Sequence, residues 1–226
     1  MPQLFLVRHI KSQWNEENRF TGWMDVPLDE TEIFDAKKMA DKTINKFRID
    51  KIYSSTLFRN MDTVARMFEF GDKRYPIFVH LDKGNMQKRG HFIDISDNDV
   101  EIYTSEKLNE RYYGKLQGMD KEVAVKRYGE ELVHLWRRSY KIGPPGGESL
   151  KNVFNRTVPF FKRYIEKDLK AGENVLIVAS HNALRAIAKY IEKISDEKII
   201  DFEIPYAGLV QYELDENLNL KNKIAY

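Results

Sequence analysis

Two histidines hold positions from which an imidazole could work on an anion. His9 follows Arg8 where the apolar run Leu4-Phe5-Leu6-Val7 stops, and His181 comes shortly after Val175-Leu176-Ile177-Val178. Imidazole is a nucleophile and a proton carrier near neutral pH, and an adjacent guanidinium neutralises a phosphoryl group in transit. A single histidine after a strand reads as a packed or surface residue. Two at equivalent positions, one with an arginine beside it, read as phosphoryl-transfer chemistry.

That chemistry needs elements that bring the two imidazoles together. Four successive apolar residues rich in Val, Ile and Leu predict strands covered on both faces, as in a parallel sheet. The crevice of an open parallel sheet lies beyond the carboxyl ends of its strands, where both histidines fall. Ile33, Ala36, Met39, Ala40, Ile44 and Phe47 step at three and four, predicting a helix over 30–47. A short strand follows at 50–53. Ser54, Ser55 and Thr56 then offer capping hydroxyls to a helix over 57–70, with Arg59 in its first turn aimed at the same strand mouths.

Ile77, Phe78 and Val79 read as strand, and the polar tract 83–90 as a hairpin tip or loop. Helices are expected over 122–128, 131–138 and 149–169, the last after the breaker Gly143-Pro144-Pro145-Gly146-Gly147. A strand at 175–179, a helix at 182–193 and a strand at 209–214 complete the alternation. These elements predict a three-layer α/β/α sandwich with a mainly parallel central sheet, in a single domain over 1–226 with an insertion around 71–105. The aromatic, polar stretch 12–28 is too long for a simple connection and reads as a site-lining loop.

Composition narrows the function classes. With 37 Lys and Arg against 35 Asp and Glu, the net charge of +2 gives no reason to expect nucleic-acid or membrane partners. The absence of cysteine excludes disulfides, thiolate catalysis and cysteine-ligated zinc, and five scattered histidines make a poor metal set. No signal-like segment is evident before the first strand, so a cytoplasmic protein is expected.

Further segments are more specific. Ser12-Gln13-Trp14-Asn15, Asn18-Arg19-Phe20-Thr21-Gly22-Trp23, Leu108-Asn109-Glu110-Arg111-Tyr112-Tyr113-Gly114, Trp136-Arg137-Arg138, Gly147-Glu148-Ser149-Leu150 and His181-Asn182-Ala183-Leu184-Arg185-Ala186 accompany Arg8-His9. Together they resemble the cofactor-dependent phosphoglycerate mutases of the histidine phosphatase superfamily over nearly the whole chain. Arg-His after a strand marks the superfamily; Asn-Arg-Phe-Thr-Gly-Trp and Leu-Asn-Glu-Arg mark the mutase branch.

The resemblance implies that 3-phosphoglycerate and 2-phosphoglycerate are interconverted through a phosphohistidine at His9, primed by 2,3-bisphosphoglycerate, with no metal. It gathers Arg8, Arg59 and a protonated His181 around the phosphoryl oxygens, with Asn15 as a neutral donor. Glu110 becomes the general acid and base, with a pKa expected to be raised by burial beside a phosphate; its bland reading is an ion pair with Arg111. Lys121, Arg137 and Arg138 would grip the distal phosphate and carboxylate, although adjacent arginines on a helix are usually a solvated face. Thr21 and Gly22 would offer a hydroxyl and backbone amides, Asn182 a further substrate contact, and Tyr113 either substrate contact or packing. His80, His91, His134 and the three tryptophans stay structural. The partners are small phosphorylated glycerates, and a homodimer or homotetramer is left open. A phosphatase of the same fold and a non-catalytic phospho-ligand binder are the alternatives.

The chain departs from the family beside both histidines. Ile10 and Lys11 stand where glycine and an acidic residue are usual, and the glycine that usually follows the second histidine is missing before Asn182. A compensating pair is expected, with the Ile10 side chain using the space released by the shortened turn. Tyr112 replaces a common histidine. Many relatives carry a longer tail that can cover the site, so the insertion is expected to serve as a substitute lid against hydrolysis.

Overall fold

The computed structural model describes residues 1–90 and 94–226; His91 lies outside them. In chain order the elements are β1 (Gln3–Arg8), α1 (Gln13–Glu16), α2 (Asp35–Lys42), β2 (Lys51–Ser54), α3 (Phe58–Phe70), β3 (Tyr75–His80), α4 (Asn85–Arg89) and β4 (Asp99–Thr104). There follow α5 (Lys121–Tyr128), α6 (Glu130–Arg138), α7 (Leu150–Phe160), α8 (Glu166–Lys170), β5 (Val175–Ala179), α9 (His181–Glu192), β6 (Leu209–Leu214) and β7 (Leu220–Ala225).

The strands form one sheet in the order β3-β4-β2-β5-β1-β6-β7. β3, β4, β2, β5 and β1 run parallel, and β6 and β7 close one edge antiparallel. Leu4 and Leu6 of β1 pack on one face with Phe160, Ile165 and Leu184, while Phe5 and Val7 pack on the other with Met39, Val64 and Met67. The two-residue period of a strand therefore supplies a core to each helical layer, α7, α8 and α9 on one side and α2 and α3 on the other. This is the mainly parallel three-layer sandwich expected from the sequence.

Several elements differ from their expected extent. The helix expected over 30–47 is helical only over α2, because Asp29 accepts from the Thr31 amide and hydroxyl and turns the chain first, while the Thr43 hydroxyl bonds back to Met39 and the chain leaves the helix. Leu57, without a side-chain cap, precedes α3; Ser55 Oγ instead accepts from the Leu57 amide. The helix expected over 149–169 is interrupted after Pro159 by a wider turn at Phe161–Ile165, since proline has no N–H to donate and its ring crowds the preceding turn.

The largest difference lies in 71–105. Its described residues contribute two parallel strands to the sheet, β3 where a strand was expected and β4 where none was, and the tract 83–90, expected as a hairpin tip or loop, holds the short α4. β4 and β7 were not expected: Asp99-Val100-Glu101 and Lys221-Asn222-Lys223 carry too much charge to read as buried strands. Among the described residues no helix is long and apolar enough to cross a membrane.

Candidate phosphoryl-transfer site

β2, β5 and β1 are neighbours in the sheet, and their carboxyl ends open into one cleft. Arg8 pairs with Ala179 across the β1–β5 ladder and the His9 amide donates to the Ala179 carbonyl at 3.3 Å, placing His9 beside the start of α9, where His181 is the first helical residue. The turn after β2 brings in Arg59 on the first turn of α3. The cleft, about 170 Å³, has room for several waters or a small anion rather than a polymer. Every site residue expected from the sequence lines it: Arg8, His9, Asn15, Thr21, Gly22, Arg59, Glu110, Tyr113, Lys121, Arg137, Arg138, His181 and Asn182.

His9 is buried, and its Nδ1 lies 2.5 Å from the Ile10 carbonyl, which can only accept. Nδ1 therefore carries the proton and Nε2 presents a lone pair, toward which Arg59 Nε donates at 3.3 Å. Burial, together with the charges of Arg59 and Arg8, holds the imidazole well below its usual pKa, so it is neutral and nucleophilic at physiological pH. Arg59 is itself fixed by the carbonyls of Met24 and Gly22 at 3.0 and 2.8 Å. Gly22 thus contributes its carbonyl to this anchor. Its φ of +53° is left-handed, and a Cβ there would meet Gln117 Oε1.

Arg8 donates through Nη1 to the Ile204 carbonyl at 2.7 Å and stacks 3.7 Å from the centre of the Tyr206 ring. Asn15 Nδ2 donates to Thr21 Oγ1 at 3.2 Å, tying the loop ahead of α2 into a wall of the cleft. Among the described residues, Arg8 Nε and Asn182 Oδ1 are buried without a hydrogen-bond partner. Such orphans cost free energy unless a ligand or water meets them.

Three site residues take their state from protein neighbours. Burial raises the pKa of Glu110, but the Asn182 side chain at 2.5 Å, His181 and the Arg111 amide at 2.6 Å outweigh it and leave it below the ordinary value. Glu110 is thus a resting carboxylate. Burial pulls His181 down to about 4, with Arg185 and Arg8 adding to the effect against Glu203, so His181 is neutral rather than protonated. Asn182 is engaged with Glu110 through both its side chain and its amide at 3.3 Å, and so orients the carboxylate.

The outer part of the cleft stands on the α5–α6 pair, which packs through Ala124, Val133 and Trp136 against Phe20 and Leu116. The Lys121 amide donates to the Asn18 carbonyl, so the loop that carries Thr21 also sets the start of α5. Lys121 Nζ reaches Asn18 Oδ1 at 2.9 Å, and burial with the charges of Arg137 and Arg8 lowers its pKa. Among the described residues neither Lys121 nor Arg137 meets a carboxylate. Arg138 does: its Nη1 lies 2.5 Å from Glu203 Oε1.

Sequence reasoning passed over Arg111, Arg185, Glu203 and Tyr206. Arg111 is 2% exposed and donates to the Trp136 carbonyl at 2.9 Å, fixing the end of α6 that carries Arg137 and Arg138. Its position beside Glu110 was legible, but an ion pair was the competing reading; the guanidinium instead serves a backbone carbonyl. Glu203 and Tyr206 lie in a segment whose pattern carries no signal.

The expected exchange of space between Ile10 and the shortened turn does not occur. Ile10 is fully buried among Val7, Leu28, Met39 and Val64, whereas Ala183 and Leu184 belong to the core on the opposite face of the sheet. Position 10 has no positive φ, so it does not require glycine here. Nor does any described residue of 71–105 line the cleft.

A neutral imidazole with a bare Nε2, guanidiniums around it and a carboxylate able to take a proton, set at the carboxyl ends of parallel strands, defines an α/β phosphoryl-transfer enzyme. The sequence profile of the histidine phosphatase superfamily (branch 1) matches residues 4–79 and 93–223. A 2,3-bisphosphoglycerate-dependent phosphoglycerate mutase of Methanococcus vannielii is 42% identical over 217 residues, 96% of this chain and 92% of the relative. One from Chlamydia muridarum is 37% identical over 227 residues, covering both chains in full. The chain belongs to the histidine phosphatase superfamily and, within it, to the 2,3-bisphosphoglycerate-dependent phosphoglycerate mutase family. Of solved structures, a mycobacterial glucosyl-3-phosphoglycerate phosphatase superposes with a TM-score of 0.74 at 20% identity, covering 100% of this chain and 98% of that one, which shows the shared fold. The superfamily match leaves out 80–92, the stretch that holds α4.

Proposed function

We propose that the cleft interconverts 3-phosphoglycerate and 2-phosphoglycerate through a phosphoryl group carried on His9 Nε2, in a protein working in the cytoplasm. The observation that carries this reading is the pair Lys121 and Arg137, two cations lining one cleft, neither of which has a carboxylate within 4 Å among the described residues. A phosphatase needs the inner cluster of Arg8, His9, Arg59 and His181. A second cationic group at the rim fits a ligand with a second anionic group, the carboxylate or distal phosphate of a glycerate.

The two clusters and the orphaned Arg8 Nε also fit 2,3-bisphosphoglycerate, with Arg8, Arg59 and His181 at one phosphate and Lys121, Arg137 and Arg138 at the other. When bound, that molecule supplies the phosphoryl group that primes His9. In the next step the substrate hydroxyl attacks the phosphorus, the P–Nε2 bond breaks, and the hydroxyl proton passes to the Glu110 carboxylate. In the return step Nε2 attacks the other phosphoryl group, and the departing oxygen takes the proton back. A resting carboxylate is the form the first transfer requires, and the incoming anions raise its proton affinity as the reaction proceeds. His181, held neutral by burial and by Arg185 and Arg8, likewise gains proton affinity as a phosphoryl dianion arrives.

The test is conversion of 3-phosphoglycerate to 2-phosphoglycerate with and without 2,3-bisphosphoglycerate, with released phosphate followed in parallel. Bisphosphoglycerate-stimulated conversion that disappears in His9→Ala is the expected result. Phosphate release without isomerisation would identify a phosphatase instead, and ligand binding without exchange a non-catalytic binder.

A further inference from the structure

Besides Glu110, a second carboxylate, that of Glu203, lines this arginine-rich cleft. Glu203 Oε1 lies 2.5 Å from Arg138 Nη1 and 2.7 Å from Arg185 Nη2, and its Oε2 lies 2.9 Å from His181 Nε2. These are the contacts an anionic ligand group would make there. The contact with His181 is close but outside good hydrogen-bond alignment, so the imidazole is not saturated by it. We propose that Glu203 is a specificity-determining residue, an internal anion that holds this donor cluster against a lone phosphate and yields it to a ligand bringing two anionic groups.

A phosphate entering beside His9 and His181 meets the Glu203 carboxylate at close range, and juxtaposed like charges repel. Relief requires the carboxylate to leave, which strips Arg138 and Arg185 of their counter-ion. Arg185 is only 3% exposed, and an uncompensated buried guanidinium is costly. A ligand whose second anionic group replaces Glu203 removes that cost; inorganic phosphate or a simple monoester does not.

The local structure permits such a release. The backbone on either side is anchored, Phe202 by Arg185 Nε at 2.7 Å and Ile204 by Arg8 Nη1 at 2.7 Å, so only the side chain has to move. That side chain is 48% exposed and can turn into solvent. Its three partners hold its pKa far below the ordinary range, so it remains an anion at every working pH. The inference rests on the anion-cleft reading above but not on the isomerase step.

The experiment is equilibrium titration of the full chain with inorganic phosphate and, separately, with 3-phosphoglycerate, comparing wild type with Glu203→Gln. Phosphate affinity should rise about tenfold or more, the scale of removing one opposing charge, while 3-phosphoglycerate affinity changes by about threefold or less. Unchanged or weakened phosphate binding would overturn the proposal and leave Glu203 a structural anchor. Should Glu203→Gln not fold, Glu203→Asp, which draws the carboxylate back by one methylene, serves instead: a gain of about threefold or more in phosphate affinity supports the proposal, and none overturns it. If wild type binds neither molecule, the cleft reading falls along with this one. If phosphate binds with the expected gain and 3-phosphoglycerate does not bind, the internal anion stands and the mutase reading falls.

Discussion

The floor of the cleft and its rim use the same side chains in opposite states. On the floor, the Arg59 guanidinium is committed to the carbonyls of Met24 and Gly22 as well as to His9, and His9 is locked by the Ile10 carbonyl. At the rim, Lys121 reaches only a neutral amide, and Arg137 meets no carboxylate among the described residues. The floor is built on strand ends between two cores; the rim stands on a separate helical pair with its own small core. A reacting atom needs a preorganised geometry, because moving donors during reaction costs part of the barrier reduction. A group that only grips a ligand does better with its charge unspent.

Substitutions on the two sides should therefore fail differently. The largest effect is expected for Glu110→Gln, which keeps the shape but cannot exchange a proton: kcat for isomerisation should fall by about 10²–10⁴-fold with KM little changed. Steady-state kinetics checks this, and an equal loss carried by KM would move Glu110 to the gripping side.

Ile10→Gly is next, because it removes a fully buried side chain from beneath the nucleophile. It should cost about 3 kcal/mol in denaturant unfolding. A gain in both stability and activity would show that position 10 is strained by isoleucine, against the packing seen here.

Arg137→Gln removes an uncommitted rim cation. It should raise KM for 3-phosphoglycerate about 10- to 100-fold, the worth of one charge-assisted bond, with a smaller change in kcat. A fall confined to kcat would erase the distinction between floor and rim.

The smallest effect concerns pH and the floor alone. His181 is held at about 4 against an ordinary value of 6.5, and His9 is lowered likewise, so between these limits the unfolded chain binds more protons than the folded one. Stability should then fall as pH drops below 6.5, by about 1 kcal/mol per histidine for each pH unit. The lowered carboxylates Glu110 and Glu203 add their own loss as pH falls through the ordinary carboxylate range and below it. Melting curves from pH 7.5 to 5 measure the histidine part, and His181→Gln should flatten the slope. An unchanged slope in that variant would show that His181 is not held neutral.

How much of this was legible varies with the kind of residue. β1 and β5 were readable because unbroken apolar runs identify covered strands, and the two histidines follow from where the runs stop. β4 and β7 were not, since charged residues are tolerated on strands toward the sheet edge, where one face or end meets water. Arg137 and Arg138 were recognised through the family resemblance, while spacing alone favoured a solvated helix face. Glu203 and Tyr206 gave no signal, because a glutamate among 35 acidic residues is remarkable only for what surrounds it.

The sequence by itself determined the alternation of elements, the placing of both histidines at strand mouths and the family to which the motifs belong, all properties of local pattern along the chain. Protonation and partnership were decided by the tertiary structure. Glu110 rests ionised, His181 rests neutral and Glu203 covers two arginines because desolvation and Coulomb interactions depend on neighbours brought from 72, 22 or 65 residues away.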